Sequence, residues 1–511
     1  MSDDESWRWS AGEIVSRISA RQVSACEIAE VSLNQIEKLN PTINAICTVT
    51  PELAMAQARA VDARLSAGYP ARPLEGVPYT VKDNIPVKGV RCTYGSELFK
   101  DLIPDEDAIS VERLKDSGAV LVGKSNTPEM ADDPFCNTAN ALFGQTRNPW
   151  DVNRTPGASS GGGSAATASG MAALALGTDW GGSIRGPAAF CGIVGMRPSS
   201  GLLPVFPDDT RSGFAWDFAV EHGHAPMARS VSDVARALDV LVGPDVRALG
   251  ALPFAPGSNY LRSVEEVRDL RGRRVAMTVD FDGIAPVDSQ AAGAVHQAAA
   301  LLSSLGCEVV QATPDFRTLN EIIAGTRALG IALRYSEHVK THRDKLSPRL
   351  LTQIEAALQV DLSTVARAEH LRTALTYHVD EFMRDFDYLL SPTWGVLPFR
   401  IDQPFEYRIE NRDVPNFFDT ILFTYSMSVL GMPSISVPVG LSRERLPLAI
   451  QIAGRRFADG AVLEAAAAYE LARGSLPWPP EPDEAQVVHP MDPMYLAGPG
   501  SVAWRSVSTQ S

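Results

Sequence analysis

The feature that most constrains this chain is a repeated alternation of short buried-strand patterns with helical ones. Val77 to Val81 reads as a buried strand, Ala108 to Lys115 as a helix, and Ala119 to Val122 as another buried strand. The pattern returns as a strand near Val275 to Val279, a helix from Ala291 to Leu305 and a strand near Val309. Alternation of this kind predicts an α/β class with a partly parallel sheet. Upstream, Ser10 with Glu13 and Ser24 with Glu27 fit capping boxes. After the second box, Ile28, Val31, Ile36 and Leu39 form a helical stripe that Pro41 is expected to end. A third helix is predicted from about Pro51 to Ser66. Downstream come a broken helical region from Leu319 to Phe386, strands at Tyr388 to Leu390, Ser434 to Val437 and Leu448 to Ile452, and a last helix over Ala461 to Leu471.

At about 150 residues per domain, 511 residues would suggest three domains. The elements interleave throughout and no linker or fixed repeat separates them. A single large domain is therefore expected, with an N-terminal helical region (1–75), a main body (76–475) and a Pro-rich tail (476–511) that wraps the surface.

Composition narrows the function classes. The chain carries 46 Lys and Arg against 61 Asp and Glu, a net charge of −15, so it lacks the basic footprint of a nucleic-acid binder. Six cysteines, widely scattered from Cys26 to Cys307, form neither a disulfide framework nor a zinc pattern. The N-terminus is acidic, unlike a signal peptide. Gly, Ser and Pro interrupt the two longest uncharged stretches, so no membrane span is expected. These features predict a cytoplasmic protein with no nucleic-acid and no membrane partner.

The most unusual segment is Pro156-Gly157-Ala158-Ser159-Ser160-Gly161-Gly162-Gly163-Ser164. It leads into a small-residue run, Ala165 to Ala175, read as a helix. A second loop follows, Gly177-Thr178-Asp179-Trp180-Gly181-Gly182-Ser183-Ile184-Arg185. Glycine loops can turn several N–H groups toward one point, as an oxyanion hole requires. The specific apolar sequence between and after the loops argues against a flexible linker. A nucleophilic serine needs a base. None of the eight histidines lies in this segment, though a distant one could fold back. Lys82, closing the Val77 to Val81 strand, is the other option, but a lysine at a strand end reads first as a solvated charge, and the residues alone do not lift it above that.

These segments, with Gly76-Val77-Pro78, Val81-Lys82-Asp83, Gly123-Lys124-Ser125-Asn126, Thr146-Arg147-Asn148-Pro149-Trp150, Pro226-Met227-Ala228-Arg229-Ser230, Gly431-Met432-Pro433 and Gln451-Ile452-Ala453-Gly454, stand in the order found in the amidase signature hydrolases. The chain resembles that family across most of residues 10–475. The resemblance implies a large twisted mixed sheet covered by helices on both faces. It implies a Ser–Ser–Lys triad, with Ser183 as nucleophile, Ser159 as the bridging serine behind a cis peptide, and Lys82 as base. It implies an oxyanion hole of the Trp180, Gly181, Gly182 and Ser183 amides, with no metal or organic cofactor. Asp179 and Arg185 are expected to tie the nucleophile loop to the helix behind it.

The implied activity is hydrolysis of linear amides through an acyl-enzyme, with aryl amides, carbamates or urethanes, and esters within range. The amidase subunit of a tRNA-dependent amidotransferase is the alternative, although Leu202 to His224 reads differently from that subunit's stretch. An inactive binding relative is disfavoured, because all three triad positions are present. Many relatives dimerise, so a homodimer fits the family. Phe135, Phe143 and Trp216 are candidate pocket aromatics, and Phe214 a further one. Loops 131–145, 205–225 and 395–420 are expected to form the sides of the cleft. Trp180 departs from the smaller residue, often Thr, expected in the family; it either shapes the pocket, by narrowing it or forming one of its walls, or simply packs in the core. Ala158 replaces a common Gly. Gly118 to Ser125 matches a phosphate-loop pattern, but its middle residues Ala-Val-Leu-Val read as a strand, so nucleotide binding is rejected.

Overall fold

The structure is a computed structural model that describes residues 3–132, 136–207, 223–248, 250–253, 259–403, 408–414 and 417–490. Among these, eleven strands join in one sheet. In chain order they are Ile46–Val49 (β1), Pro78–Lys82 (β2), Val120–Ser125 (β3), Leu174–Asp179 (β4), Val194–Arg197 (β5) and Gly223–Ala228 (β6). Arg274–Met277 (β7), Glu308–Gln311 (β8), Tyr388–Pro392 (β9), Ser434–Leu441 (β10) and Pro447–Gly454 (β11) complete it. The spatial order is β1-β3-β2-β4-β6-β5-β10-β11-β9-β7-β8. The sheet is mixed. β3, β2 and β4 run parallel at one end and β9, β7 and β8 at the other, with antiparallel pairs between.

Helices cover both faces, and the strand period of two divides the core accordingly. On β7, Val275 and Met277 join one apolar cluster while Ala276 joins the other. On β9, Tyr388 and Leu390 face the first cluster and Leu389 the second. The first cluster takes in the N-terminal helices and the Asp459–Arg473 helix. The second takes in the Leu319–His342, Pro348–Leu358 and Leu422–Val429 helices, and the glycine loops open on this side.

Both predicted capping boxes form, at Ser10 with Glu13 and Ser24 with Glu27. Two local expectations fail. The helix Ala25–Ile43 runs through Pro41 and ends at Asn44, in the left-handed region at φ 54°. A proline near the last turn forfeits a single intrahelical bond, and Asn tolerates the left-handed exit. The small-residue run is not one helix. The helix Gly161–Ala168 stops before Gly170 (φ 77°), and Leu174 starts the central strand β4. A fully buried strand shows no alternation, so its apolar run could not be told from helix.

The phosphate-loop lookalike is indeed strand: β3 runs through Gly123, Lys124 and Ser125. Lys124 is buried and donates to the Ile85 carbonyl at 2.7 Å, 3.4 Å from Asp83. Residues 477–490 run along the surface, with Trp478 edge-on to Trp7 and the Val488 carbonyl accepting from Arg147. Among the described residues, no helix is long and apolar enough to cross a membrane.

Candidate active site

Parallel pairing of β2 with β4 aligns Val81 with Leu176, which brings the end of β2 beside Thr178. Lys82 closes β2 and is fully buried. Its Nζ donates to Ser159 Oγ at 2.6 Å and to Thr178 Oγ1 at 2.8 Å. Asn84 Nδ2 also reaches Thr178 Oγ1, at 3.3 Å. The solvated reading of Lys82 is therefore excluded. The Ala158–Ser159 peptide is cis, as the resemblance implied. Ser160 N donates to the Ser183 carbonyl at 3.0 Å, which joins the two glycine loops. Ser159 and Ser183 line one cavity, Ser159 nearly buried and Ser183 half-buried.

The second glycine loop, which carries Ser183, is anchored from behind. Asp179 and Arg185 are both fully buried. The Asp179 carboxylate accepts from Gly182 N (2.8 Å), Ile184 N (3.1 Å) and Arg185 Nη2 (2.9 Å). Arg185 also donates to the Thr424 carbonyl, Ser428 Oγ, Ser434 Oγ and Gln451 Oε1 at 2.7–3.0 Å. Burial alone would raise the Asp179 carboxyl, but the Arg185 guanidinium overrides it and holds the group down to about 2. This is the tying role expected of the pair.

One expected oxyanion donor is engaged elsewhere, since the Gly182 amide already donates to Asp179. Gly182 sits at φ 129°, and a Cβ there would meet Thr424 Oγ1 at 2.2 Å, so only glycine fits. Thr424 Oγ1 donates to the Gly181 carbonyl at 2.8 Å. The amides of Gly181 and Ser183 donate to no other described residue.

The cavity wall is aromatic. Trp180, Trp394, Phe418 and Tyr425 line it with Ile421. Trp394 stands edge-on to Phe190, with ring centroids 4.7 Å apart. Trp180 lies along the Leu319–His342 helix, with the Arg327 and Arg334 guanidinium carbons 5.2 Å and 4.7 Å from its ring centre. Gly330 makes room for it: a Cβ there would come within 2.6 Å of the indole. Trp180 is therefore one wall of the pocket. The same cavity is lined by Arg327, which is ion-paired with Asp132. Burial disfavours the Arg327 charge, but Asp132 outweighs it and secures the cation.

Of the pocket aromatics expected from sequence, Phe135, Phe214 and Trp216 lie outside the described residues. Phe143 is half-buried in the hairpin at residues 139–145, where Arg91 lies 5.4 Å from its ring centre, and it does not line the cavity. Loops 131–145 and 395–420 do border the cavity, through Ala131, Cys136 and Phe418. Thr178, Trp394, Tyr425 and Arg327 were missed. Thr178 needed the β2–β4 register, and the other three come together only through tertiary packing. One distant histidine does fold back: His224 pairs with Thr178 across the β4–β6 ladder, and its Nδ1 lies 2.8 Å from Ser110 Oγ.

Fold and site describe an enzyme that hydrolyses amides, and comparison with known proteins bears this out. Residues 27–463 match the family model for Amidase. An acylamidase of Rhodococcus erythropolis is 33% identical over 482 residues, covering 93% of this chain and 97% of that protein. A glutamyl-tRNA(Gln) amidotransferase subunit of Carboxydothermus hydrogenoformans is also 33% identical, over 90% of this chain and 96% of that protein. Among solved structures, a bacterial aryl acylamidase of the amidase signature family superposes with a TM-score of 0.81 at 28% identity, covering 91% of this chain and 96% of that one. The chain belongs to the amidase signature family.

Proposed function

We propose that this enzyme hydrolyses aryl amides and related aryl carbamates through an acyl-enzyme on Ser183. The carrying observation is the 2.6 Å contact of buried Lys82 Nζ with Ser159 Oγ at the floor of the cavity that Ser183 lines. The Lys82 amine, in its neutral form, takes the Ser159 proton while Ser159 takes the Ser183 proton. Ser183 Oγ attacks the amide carbonyl carbon, and the oxyanion is held by the Gly181 and Ser183 amides, with Gly182 fixing the loop that carries them. Collapse breaks the C–N bond of an amide, or the C–O bond to the aryloxy group of a carbamate, and the relay returns its proton to the leaving amine or phenol. Water then attacks the acyl-enzyme by the same relay, releasing the acid and restoring Ser183. Thr178 positions Lys82 through its 2.8 Å hydrogen bond.

The aromatic wall of Trp180, Trp394, Phe418 and Tyr425 supports an aryl group over a small polar one. The experiment is turnover of acyl p-nitroanilides and p-nitrophenyl carbamates by wild type, Ser183→Ala and Lys82→Ala. Each variant is expected to lose about 10⁴-fold or more in kcat with its fold intact. Full activity in Ser183→Ala would falsify the nucleophile assignment.

The amidotransferase relative at equal identity favours a second reading, in which the same triad releases ammonia for a partner protein. Glutaminase activity that appears only with an added partner, and no aryl-amide turnover, would establish it instead. A homodimer is proposed as the solution state of the hydrolase, and light scattering measures it.

A further inference from the structure

Four buried polar atoms without a hydrogen-bond partner in good geometry among the described residues cluster beside the reactive cavity, two of them on residues that line it. They are Arg327 Nε, Asp132 Oδ2, Gln353 Nε2 and Tyr425 Oη. The side chains belong together. Arg327 Nη2 donates to Asp132 Oδ1 and, at 3.0 Å, to Gln353 Oε1. The Tyr425 hydroxyl lies within hydrogen-bonding reach of the Arg327 guanidinium but outside good hydrogen-bond geometry with it. Arg327 and Tyr425 line the cavity that Ser183 lines. Arg327 is 5% exposed, Gln353 3% and Tyr425 2%, so bulk solvent does not satisfy them.

An unsatisfied buried polar group costs about 1–3 kcal/mol, and a fold rarely gathers several in one place without a use for them. From these atoms we propose a substrate-recognition subsite, which rests on the aryl-amide reading above. Arg327, Asp132, Gln353 and Tyr425 bind a carboxamide-type group, a primary amide or a urea, carried by the aryl substrate. The assignment follows from charge and polarity. The cation of Arg327 is already balanced by Asp132, so that pair has no net charge to offer an ion. A carboxylate would face Asp132, and an ammonium would face Arg327. The orphan atoms include N–H and O–H donors as well as a carboxylate acceptor. A carboxamide complements both, with a carbonyl for the donors and an NH₂ for Asp132. A methyl group of similar size would leave every one of them unpaired.

The test measures binding apart from turnover. Calorimetry on Ser183→Ala uses acetanilides and benzanilides bearing a para-carbamoyl, para-methyl or para-carboxylate group, placed on the amine side or the acyl side. The carbamoyl ligand is expected to bind about tenfold tighter than the methyl ligand in at least one series. The carboxylate is expected to bind weakest. Tyr425→Phe and Gln353→Met, each added to Ser183→Ala, should reduce the carbamoyl advantage about threefold or more. Asp132→Asn should move the preference toward carboxylate by about tenfold, because Arg327 is then uncompensated. A merely structural cluster would lower the unfolding temperature of these variants and leave the order of ligands unchanged. Equal affinities in both series, tightest binding of the carboxylate, or an order unmoved by all the variants overturns the proposal. The underlying reading is tested by wild-type turnover of the same anilides, so the two fail separately.

Discussion

Two buried Arg–Asp pairs flank the second glycine loop, and they differ in completeness. Behind the loop, Arg185 and Asp179 are fully sequestered. The guanidinium's donors are taken by one carboxylate, one main-chain carbonyl and three side-chain oxygens. In front, Arg327 and Asp132 are nearly as buried, yet each keeps a polar atom with no partner among the described residues. A saturated network fixes geometry, and an unsaturated one retains bonding capacity for something that arrives. The first holds the second glycine loop in place. The second borders the cavity through Arg327.

Removing each arginine breaks this comparison most sharply. Arg185→Met leaves Asp179 charged and buried without its nearest cation, with Arg197 3.9 Å away, and orphans the acceptors on Ser428, Ser434 and Gln451, so it is expected to destabilise the fold by about 3–5 kcal/mol. Arg327→Met strips a pair that was never saturated, and its loss in a urea titration should be clearly smaller. Equal losses would mean the two clusters are alike. Acid distinguishes the first pair next. The Asp179 carboxyl lies below its ordinary value of 3.8, at about 2. A group depressed in the folded state adds stability above its unfolded pKa and loses it as pH falls through the folded one. About 2 kcal/mol should therefore disappear between pH 4 and pH 2, and Asp179→Asn should flatten that limb. At the second pair, Gly330→Ala drives a methyl group into Trp180. It should cost about 1–3 kcal/mol and raise KM for aryl amides more than it lowers kcat.

How legible this was in the sequence follows the same division. The capping boxes at Ser10 and Ser24 could be read outright, because a box is a contact over three residues. The helices of residues 319–382 followed from periodicity. β4 did not, because a strand buried on both faces looks like a helix of small residues, and with it Thr178 was lost. Lys82 could not be raised above a surface charge by its neighbours in sequence. Only resemblance to a family singled it out, and the β2–β4 register then placed it. The Arg185–Asp179 pair lies within six residues and was suspected. Arg327 and Asp132 are 195 residues apart and meet only after the Leu319–His342 helix packs on the glycine loops. Nothing local marks that pairing.

The smallest effect is also the one whose sign separates the clusters. Ser428 Oγ accepts from Arg185 at 2.7 Å and itself donates to the Thr424 carbonyl at 3.1 Å. Ser428→Ala removes an acceptor from a saturated guanidinium, and about 1–2 kcal/mol of stability should go with it. Tyr425→Phe also deletes one buried hydroxyl, but one that makes no hydrogen bond in good geometry among the described residues, although Arg327 lies beside it. The ring stays packed over Gly181, and a buried polar atom without a partner is replaced by an apolar one. The free protein should then be unchanged, or more stable by up to about 1 kcal/mol. Urea midpoints of the two variants therefore move apart, one down and one level or up. A loss in Tyr425→Phe equal to that in Ser428→Ala would show that its hydroxyl is already satisfied in the free enzyme, and the distinction between a finished network and a waiting one would fall.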